Sequence, residues 1–157
     1  MRRFVPLLLL AVTVGCHRPP PPVVQVYPVE GKVFVHGRPA KNAQVVFHPV
    51  NSTDPTPRYP VGVANPDGTF QLTTLSANDG APAGEYVVTV LWMDETIPYD
   101  CCENPDLTTH DRLHGQYLDP ATTTLRATVR PGPNAVTLHA DPGARGWNLP
   151  RRPPVGR

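Results

Sequence analysis

Cysteine is scarce in this chain: Cys16, Cys101 and Cys102 are the three in 157 residues. No Cys-x-x-Cys pair occurs, so the common framework of a structural zinc site is missing. No Gly-x-Ser-x-Gly elbow is present to carry a hydrolase nucleophile, and no acidic run has EF-hand spacing. The formal net charge is +1, which leaves no global basic field to recruit nucleic acid. No stretch shows sustained helical periodicity, so a helical bundle is excluded. The apolar run Phe4 to Val14 is too short to span a hydrocarbon core, which needs about 20 residues. Proline, by contrast, is abundant at 22 residues, and hydrophobic content is a modest 39%. The length suits one domain.

The first fifteen residues read as an export signal. Arg2 and Arg3 form a charged start, Phe4 to Val14 an apolar centre, and Gly15 a small residue at the cut. Arg2-Arg3 alone are weak evidence for twin-arginine export. Thr13-Val14-Gly15-Cys16 resembles the lipobox of bacterial lipoproteins, although Leu is preferred where Thr13 stands. The resemblance implies that the Cys16 thiol carries diacylglycerol, that residues 1–15 are removed, and that the new N-terminus is acylated. A plain secretory signal with an incidental cysteine is the alternative. Without Arg2 and Arg3, twelve Lys and Arg face thirteen Asp and Glu, so the mature chain is near neutral.

Residues 16–25 hold the run Arg18 to Pro22, Arg-Pro-Pro-Pro-Pro, which reads as a stiff spacer between lipid and domain. Residues 141–157 read as a Pro/Arg-rich tail. Between them, residues 26–140 show short alternating runs punctuated by Gly and Pro, as in an all-β sandwich. Seven strands are expected: Val29 to Val35, Ala43 to His48, Val61 to Ala64, Thr69 to Thr73, Gly84 to Trp92, Leu125 to Val129 and Ala135 to Leu138. Gly84 to Trp92 is apolar on both faces and belongs at the centre of a sheet. His36-Gly37-Arg38-Pro39 reads as a turn, Asn65-Pro66-Asp67-Gly68 as a hairpin turn, and Pro131-Gly132-Pro133-Asn134 as a hairpin joining the last two strands.

These residues resemble the carboxypeptidase regulatory-like family, whose fold is a transthyretin-like β-sandwich. The resemblance lies in Gly31-x-Val33, Gly37-Arg38-Pro39-Ala40 leading to Ala43-x-Val45-x-Phe47, Asp67-Gly68-x-Phe70-x-Leu72, and Pro82-x-Gly84-x-Tyr86-x-Val88-x-Val90. It covers roughly Val26 to Trp92. It implies a seven-stranded transthyretin-like sandwich with a long acidic inter-strand insertion, of the kind found on small bacterial lipoproteins. It also implies an accessory or binding module without a shared catalytic site. Transthyretin-like hydrolases that act on 5-hydroxyisourate end in a Tyr-Arg-Gly-Ser-like motif, whereas this chain ends Pro-Pro-Val-Gly-Arg.

The insertion, Asp94 to Asp111, holds six carboxylates and no Lys or Arg. His110-x-x-x-His114 matches half of a zinc pattern, and Cys101 and Cys102 could add thiolates. A solvated acidic loop is the plainer reading. Cys101 and Cys102 could form a strained vicinal disulfide, since neighbouring Cα atoms lie about 3.8 Å apart and a disulfide usually spans about 4.4–6.8 Å. An inter-chain bond or free thiols are the alternatives. Lys32, Asn134 and Glu85 are the residue types of a Lys–Asn isopeptide crosslink, though Lys32 points away from the expected core. Trp92, Tyr99, Tyr117 and Trp147 suit sugar stacking, with packing the plainer role of Trp92 and Tyr117.

The expectation is therefore a lipid-anchored, non-catalytic envelope module that binds a protein or polysaccharide partner. It needs no cofactor, contacts the membrane through its lipid, and does not bind nucleic acid. The alternative is a metal-handling or redox-active envelope protein working through Asp94 to His114. His17, rather than the Asp that retains lipoproteins at the inner membrane in some bacteria, follows Cys16 and points to the outer membrane, facing the periplasm or the cell surface.

Overall fold

The computed structural model describes residues 24–52, 56–97 and 106–143. The leader, Cys16, His17, the Pro-rich spacer up to residue 23 and the tail from residue 144 lie outside the described residues. Along the chain the elements are β1 (Val26–Tyr27), β2 (Val29–Val35), β3 (Arg38–Pro39), β4 (Gln44–Pro49), β5 (Val61–Val63), β6 (Thr69–Gln71), β7 (Ala81–Pro82) and β8 (Gly84–Leu91), followed by α1 (Leu107–His110), β9 (Arg126–Val129) and β10 (Asn134–His139). The protein is mostly β, and the described strands form three small sheets. All seven expected strands exist, with ends shifted by one or two residues. The two-residue strands and the one-turn helix are too short to leave a periodic signal.

One sheet is built on β2, which pairs with β10 on one side and with β3 and β6 on the other. A second has the order β5-β4-β8-β9, and the small third pairs β1 with β7. The expected central strand is thus central, since β8 lies between β4 and β9. Its inward residues Tyr86, Val88 and Val90 are buried, whereas Val87 and Leu91 on the other face are only half-buried.

Two turn expectations need correction. Leu125 to Val129 and Ala135 to Leu138 do not form a hairpin: β9 pairs antiparallel with β8, while β10 pairs parallel with β2, Asn134 opposite Val29 and His139 opposite Phe34. The Pro131-Gly132-Pro133 link instead carries the chain between sheets, with Gly132 at φ 103°. Asn134 holds it there: its side-chain oxygen accepts from Arg130 N (2.9 Å), and its amide donates to the carbonyls of Arg130 (2.9 Å) and Gly132 (2.8 Å). Two prolines in the link remove the N–H groups that a tight hairpin would use.

The Asp67-Gly68 turn does form, with Gly68 N donating to Asn65 O at 2.9 Å. It turns a corner, however, rather than closing a hairpin. β5 pairs with β4 and β6 with β2, and the two stay linked across the turn by Asn65 N donating to Thr69 O (2.7 Å) and by a bridge between Val61 and Thr73. His36-Gly37 makes the tight connection from β2 to β3, with both residues at positive φ (49° and 72°), the signature of a type I′ turn.

The core is one buried cluster fed by both larger sheets: Val29, Val33, Val35, Phe70 and Leu138 from one, Val45, Phe47, Tyr86, Val88, Val90 and Val129 from the other. Strand alternation produces it directly, since β2 reads buried and exposed in turn along Val29–Val35. Phe70 is the hinge of the packing. A Cβ on Gly31 would lie 2.1 Å from Phe70 Cζ, and one on Gly62 would lie 2.9 Å from Phe70 Cδ2. The ring therefore fits only because both neighbours are glycine.

Candidate functional site

The segment after β8 is where chemistry was expected. Beyond Leu91 the chain continues through Trp92 and Met93, and residues 106–118 fold back onto it. Met93 bridges Asp111, Arg112 N donates to Trp92 O (2.8 Å), and Asp94 N donates to His110 O (2.7 Å). Asp106 caps α1 by accepting from Thr108 N at 2.9 Å. The helix then stops at Asp111, whose carboxylate is 2% exposed. That carboxylate accepts from three backbone N–H groups: Trp92 (3.0 Å) and Leu113 (3.1 Å) on Oδ1, and Gly115 (2.8 Å) on Oδ2. A buried carboxylate surrounded by backbone donors is a structural clasp, satisfying groups that would otherwise be stranded.

This geometry separates the two histidines. His110 is buried in the last turn of α1, whereas His114 lies past the helix end, exposed and at φ 54°. The i, i+4 spacing that would put both on one helix face is therefore not realised. Cys101 and Cys102, and with them any disulfide, lie outside the described residues. Among the described residues, no three His, Cys, Asp or Glu side chains are grouped to hold a metal ion.

The other described carboxylates of the insertion also serve the scaffold. Asp94 accepts from Thr96 N (3.0 Å) and Thr96 Oγ1 (2.7 Å). These bonds, with a smaller contribution from the Arg112 charge, hold its carboxyl below the usual range. Glu95 accepts from the Asn42 amide.

The aromatic candidates divide in the same way. Trp92 donates Nε1–H to Lys41 O (2.9 Å), and the Arg112 guanidinium covers its ring at 4.2 Å. Tyr117 is buried and donates its hydroxyl to Asp141 O at 2.8 Å. Both polar handles are spent on the scaffold. Tyr99 and Trp147 lie outside the described residues. Lys32 stands opposite Thr137 on β2, Asn134 is committed to its own loop, and exposed Glu85 lies in the other sheet opposite Thr128, so the three do not converge.

Two surface features have no counterpart in the motif reading. On the outer face of the β5-β4-β8-β9 sheet, His48 Nε2 lies 2.9 Å from Thr89 Oγ1, and its ring meets half-exposed Tyr59 at 5.3 Å between centroids, tilted by 53°. Burial pushes the His48 imidazole below its ordinary pKa. Strand alternation puts His48 and Thr89 on one face, but only the β4–β8 register brings them together. The second feature is an open groove of about 550 Å³ over β10, β2 and β6, presenting Glu30, Lys32, Thr69, Gln71 and Thr137. An open surface of this kind, with Ala135 and Val136 among its polar side chains, suits a polymer or a protein better than an enclosed small molecule.

No protein-family model matches the chain, and it matches neither a curated protein nor a solved structure.

Proposed function

We propose that this protein is a lipid-anchored, non-catalytic module of the bacterial cell envelope, built on a transthyretin-like β-sandwich, that binds a protein or polysaccharide partner. The observation that carries the reading is where the reactive side chains go. Asp111 clasps three backbone N–H groups, His48 pairs with Thr89, and Trp92 and Tyr117 donate to carbonyls. These four side chains are thus engaged in holding strands and loops of the domain together. The open groove over β10, β2 and β6 presents Glu30, Lys32, Thr69, Gln71 and Thr137 to solvent, which favours recognition over chemistry. The Thr13-Val14-Gly15-Cys16 lipobox supports the anchor, and acylation at more than one position would make it stable. The carboxypeptidase regulatory-like motifs on β2, β4, β6 and β8 support the family assignment, and one core shared by two larger sheets fits a sandwich.

The test is fractionation of cells carrying wild-type or Cys16→Ser protein, with intact mass of the wild-type chain. Acyl groups on Cys16 and release of Cys16→Ser into the soluble fraction are expected. Retention of Cys16→Ser in the membrane would refute the anchor.

A further inference from the structure

We propose that β10 is the seam of a two-fold dimer, in which its open edge pairs antiparallel with β10 of a second copy and joins the two β2-centred sheets into one. This adds a partner to the reading above and does not depend on the lipid anchor. The phase of the ladder identifies the open groups. Asn134 N donates to Pro28 O and Ala140 N to Phe34 O, both at 2.9 Å, and the parallel register with β2 is unbroken from Asn134 to His139. Asn134, Val136 and Leu138 therefore turn their N–H and C=O groups to β2, while Ala135, Thr137 and His139 turn theirs outward. Those three residues are exposed, and among the described residues no strand pairs with that edge.

The other edges among the described residues are closed or defended. β5 is shut by the chain beyond it: Val61 exchanges bonds with Thr73 (3.0 and 2.8 Å), and Asn65 N donates to Thr69 O (2.7 Å). β1, β3 and β7 are two residues long, and Pro28, Pro39 and Pro82 withhold N–H donors there. β9 has four residues, and exposed Arg126 folds its guanidinium onto Thr123 O and Leu125 O beside the edge, at 2.7 and 2.9 Å. Short strands, prolines and charged side chains are the usual defences of a sheet edge. β10 has none of them. It runs six residues, Asn-Ala-Val-Thr-Leu-His, with no proline, no bulge and no Lys, Arg, Asp or Glu. Such an edge is a template for another strand.

The sequence of β10 suits its own copy. With Thr137 on the two-fold axis, Ala135 meets His139 and Val136 meets Leu138 of the second copy. Ala135, Thr137 and His139 then exchange N–H and C=O bonds with His139, Thr137 and Ala135 across the seam, so every open group of β10 is satisfied at once. Thr opposite Thr is a favourable cross-strand pair, and half-buried Val136 gains an apolar neighbour on the core-facing side. Like charges stay apart. Glu30 and Lys32 stand on β2 beside Ala135 and Thr137, and the two copies of Lys32 are three strand spacings apart, about 14 Å, beyond a Debye length of ~10 Å. The groove over β10, β2 and β6 continues across the axis into its copy, which lengthens the surface offered to a polymer or protein.

The test uses the full chain purified from cells, in detergent and with reductant so that no disulfide counts as association. Native mass spectrometry and sedimentation at micromolar to submillimolar concentration should find a dimer. Thr137→Pro removes an N–H that makes no bond to β2, a place where an edge strand accepts proline. It should weaken the dimer at least ~100-fold, because each copy loses a donor and strands the opposite carbonyl. Thr137→Lys puts two ammonium groups on the axis and should do the same; it decides the matter if the proline variant unfolds. Thr128→Pro makes the equivalent change on β9, since Ala127 and not Thr128 bonds to β8, and should stay dimeric. Amide exchange at Ala135, Thr137 and His139 should be slow in the dimer and fast in Thr137→Lys. A monomeric wild type overturns the proposal, whether those amides are open or protected by the chain's own residues. So does a dimer that survives both Thr137 variants, or one that Thr128→Pro disrupts as much as Thr137→Pro. None of these results bears on the Cys16→Ser fractionation, which tests the anchor.

Discussion

Replacing Asp111 should uncouple the segment after β8 from the rest of the domain. Its carboxylate is 2% exposed and serves Trp92 N, Leu113 N and Gly115 N at 3.0, 3.1 and 2.8 Å. In Asp111→Ala three N–H groups lose a charged acceptor. Each such bond contributes about 1.5–3 kcal/mol. The three share one acceptor and the loop can relax, so a net loss of about 4 kcal/mol is expected rather than the full sum. Against a total stability of about 5–15 kcal/mol, that is a large fraction. Asp111→Asn separates charge from geometry. Its one oxygen can serve Trp92 and Leu113, but its NH₂ then faces the Gly115 N–H, donor against donor, for an expected loss of about 2 kcal/mol. Urea denaturation followed by Trp92 emission should show the order wild type, Asn, Ala, with the Ala midpoint lower by ~2–3 M. Amide exchange at Trp92, Leu113 and Gly115 should accelerate in step. If Asp111→Ala shifts the midpoint by less than the equivalent of about 1 kcal/mol and leaves those amides protected, the clasp is not what holds the segment.

Gly31→Ala drives a methyl to 2.1 Å from Phe70 Cζ and should cost about 1–3 kcal/mol. Combined with Phe70→Leu, which opens the space, the two losses should fall short of additive in a double-mutant cycle, and strict additivity would refute the contact. His48 titrates below its ordinary value because burial disfavours the charged imidazole. Its contribution is therefore complete above the unfolded value of about 6.5 and is lost as pH falls through the lowered folded value. Stability measured from pH 8 down to pH 5 should decline less in His48→Gln than in wild type, and identical slopes would remove the argument. A native mass spectrum of the chain purified without chelator should show no metal adduct. An adduct that disappears in His110→Ala would instead favour metal handling through the Asp94 to His114 segment.

The strands were legible because burial on one face leaves a period of two in the side chains. Val29, Val33 and Val35, or Val45 and Phe47, announce their face without any partner being known. Partnership is a different quantity. Alternation in Ala135 to Leu138 is equally consistent with a hairpin to β9 and with the parallel pairing to β2 that forms, since either buries Leu138. The information that separates them lies in Asn134, whose amide needs carbonyls of a crossing loop, and in two prolines that withhold donors. Likewise Asp67-Gly68 dictates a turn through the positive φ of Gly68, but not whether the flanking strands stay together. That follows from Phe70, which must sit between Gly31 and Gly62 and so draws β6 to β2 while β5 stays with β4.

Composition marked the Asp94 to Asp111 insertion as exceptional, yet composition cannot distinguish a carboxylate that waits for a ligand from one that closes a turn. Spacing can, in part: Asp94 and Thr96, Asp106 and Thr108, and Asp67 and Thr69 all repeat the same Asp-x-Thr geometry, carboxylate on the N–H two residues on, which is a turn signal. Asp111 makes the same bond to Leu113 N with no Thr to mark it, and its wider role depends on Trp92, nineteen residues earlier, which no local pattern reports. The His110-x-x-x-His114 spacing is silent for the complementary reason. It presumes a continuous helix, and Asp111 ends the helix between the two residues by turning its carboxylate to Leu113 and Gly115. The residue that most constrains this segment is thus the one whose chemistry a motif search would have assigned to a ligand.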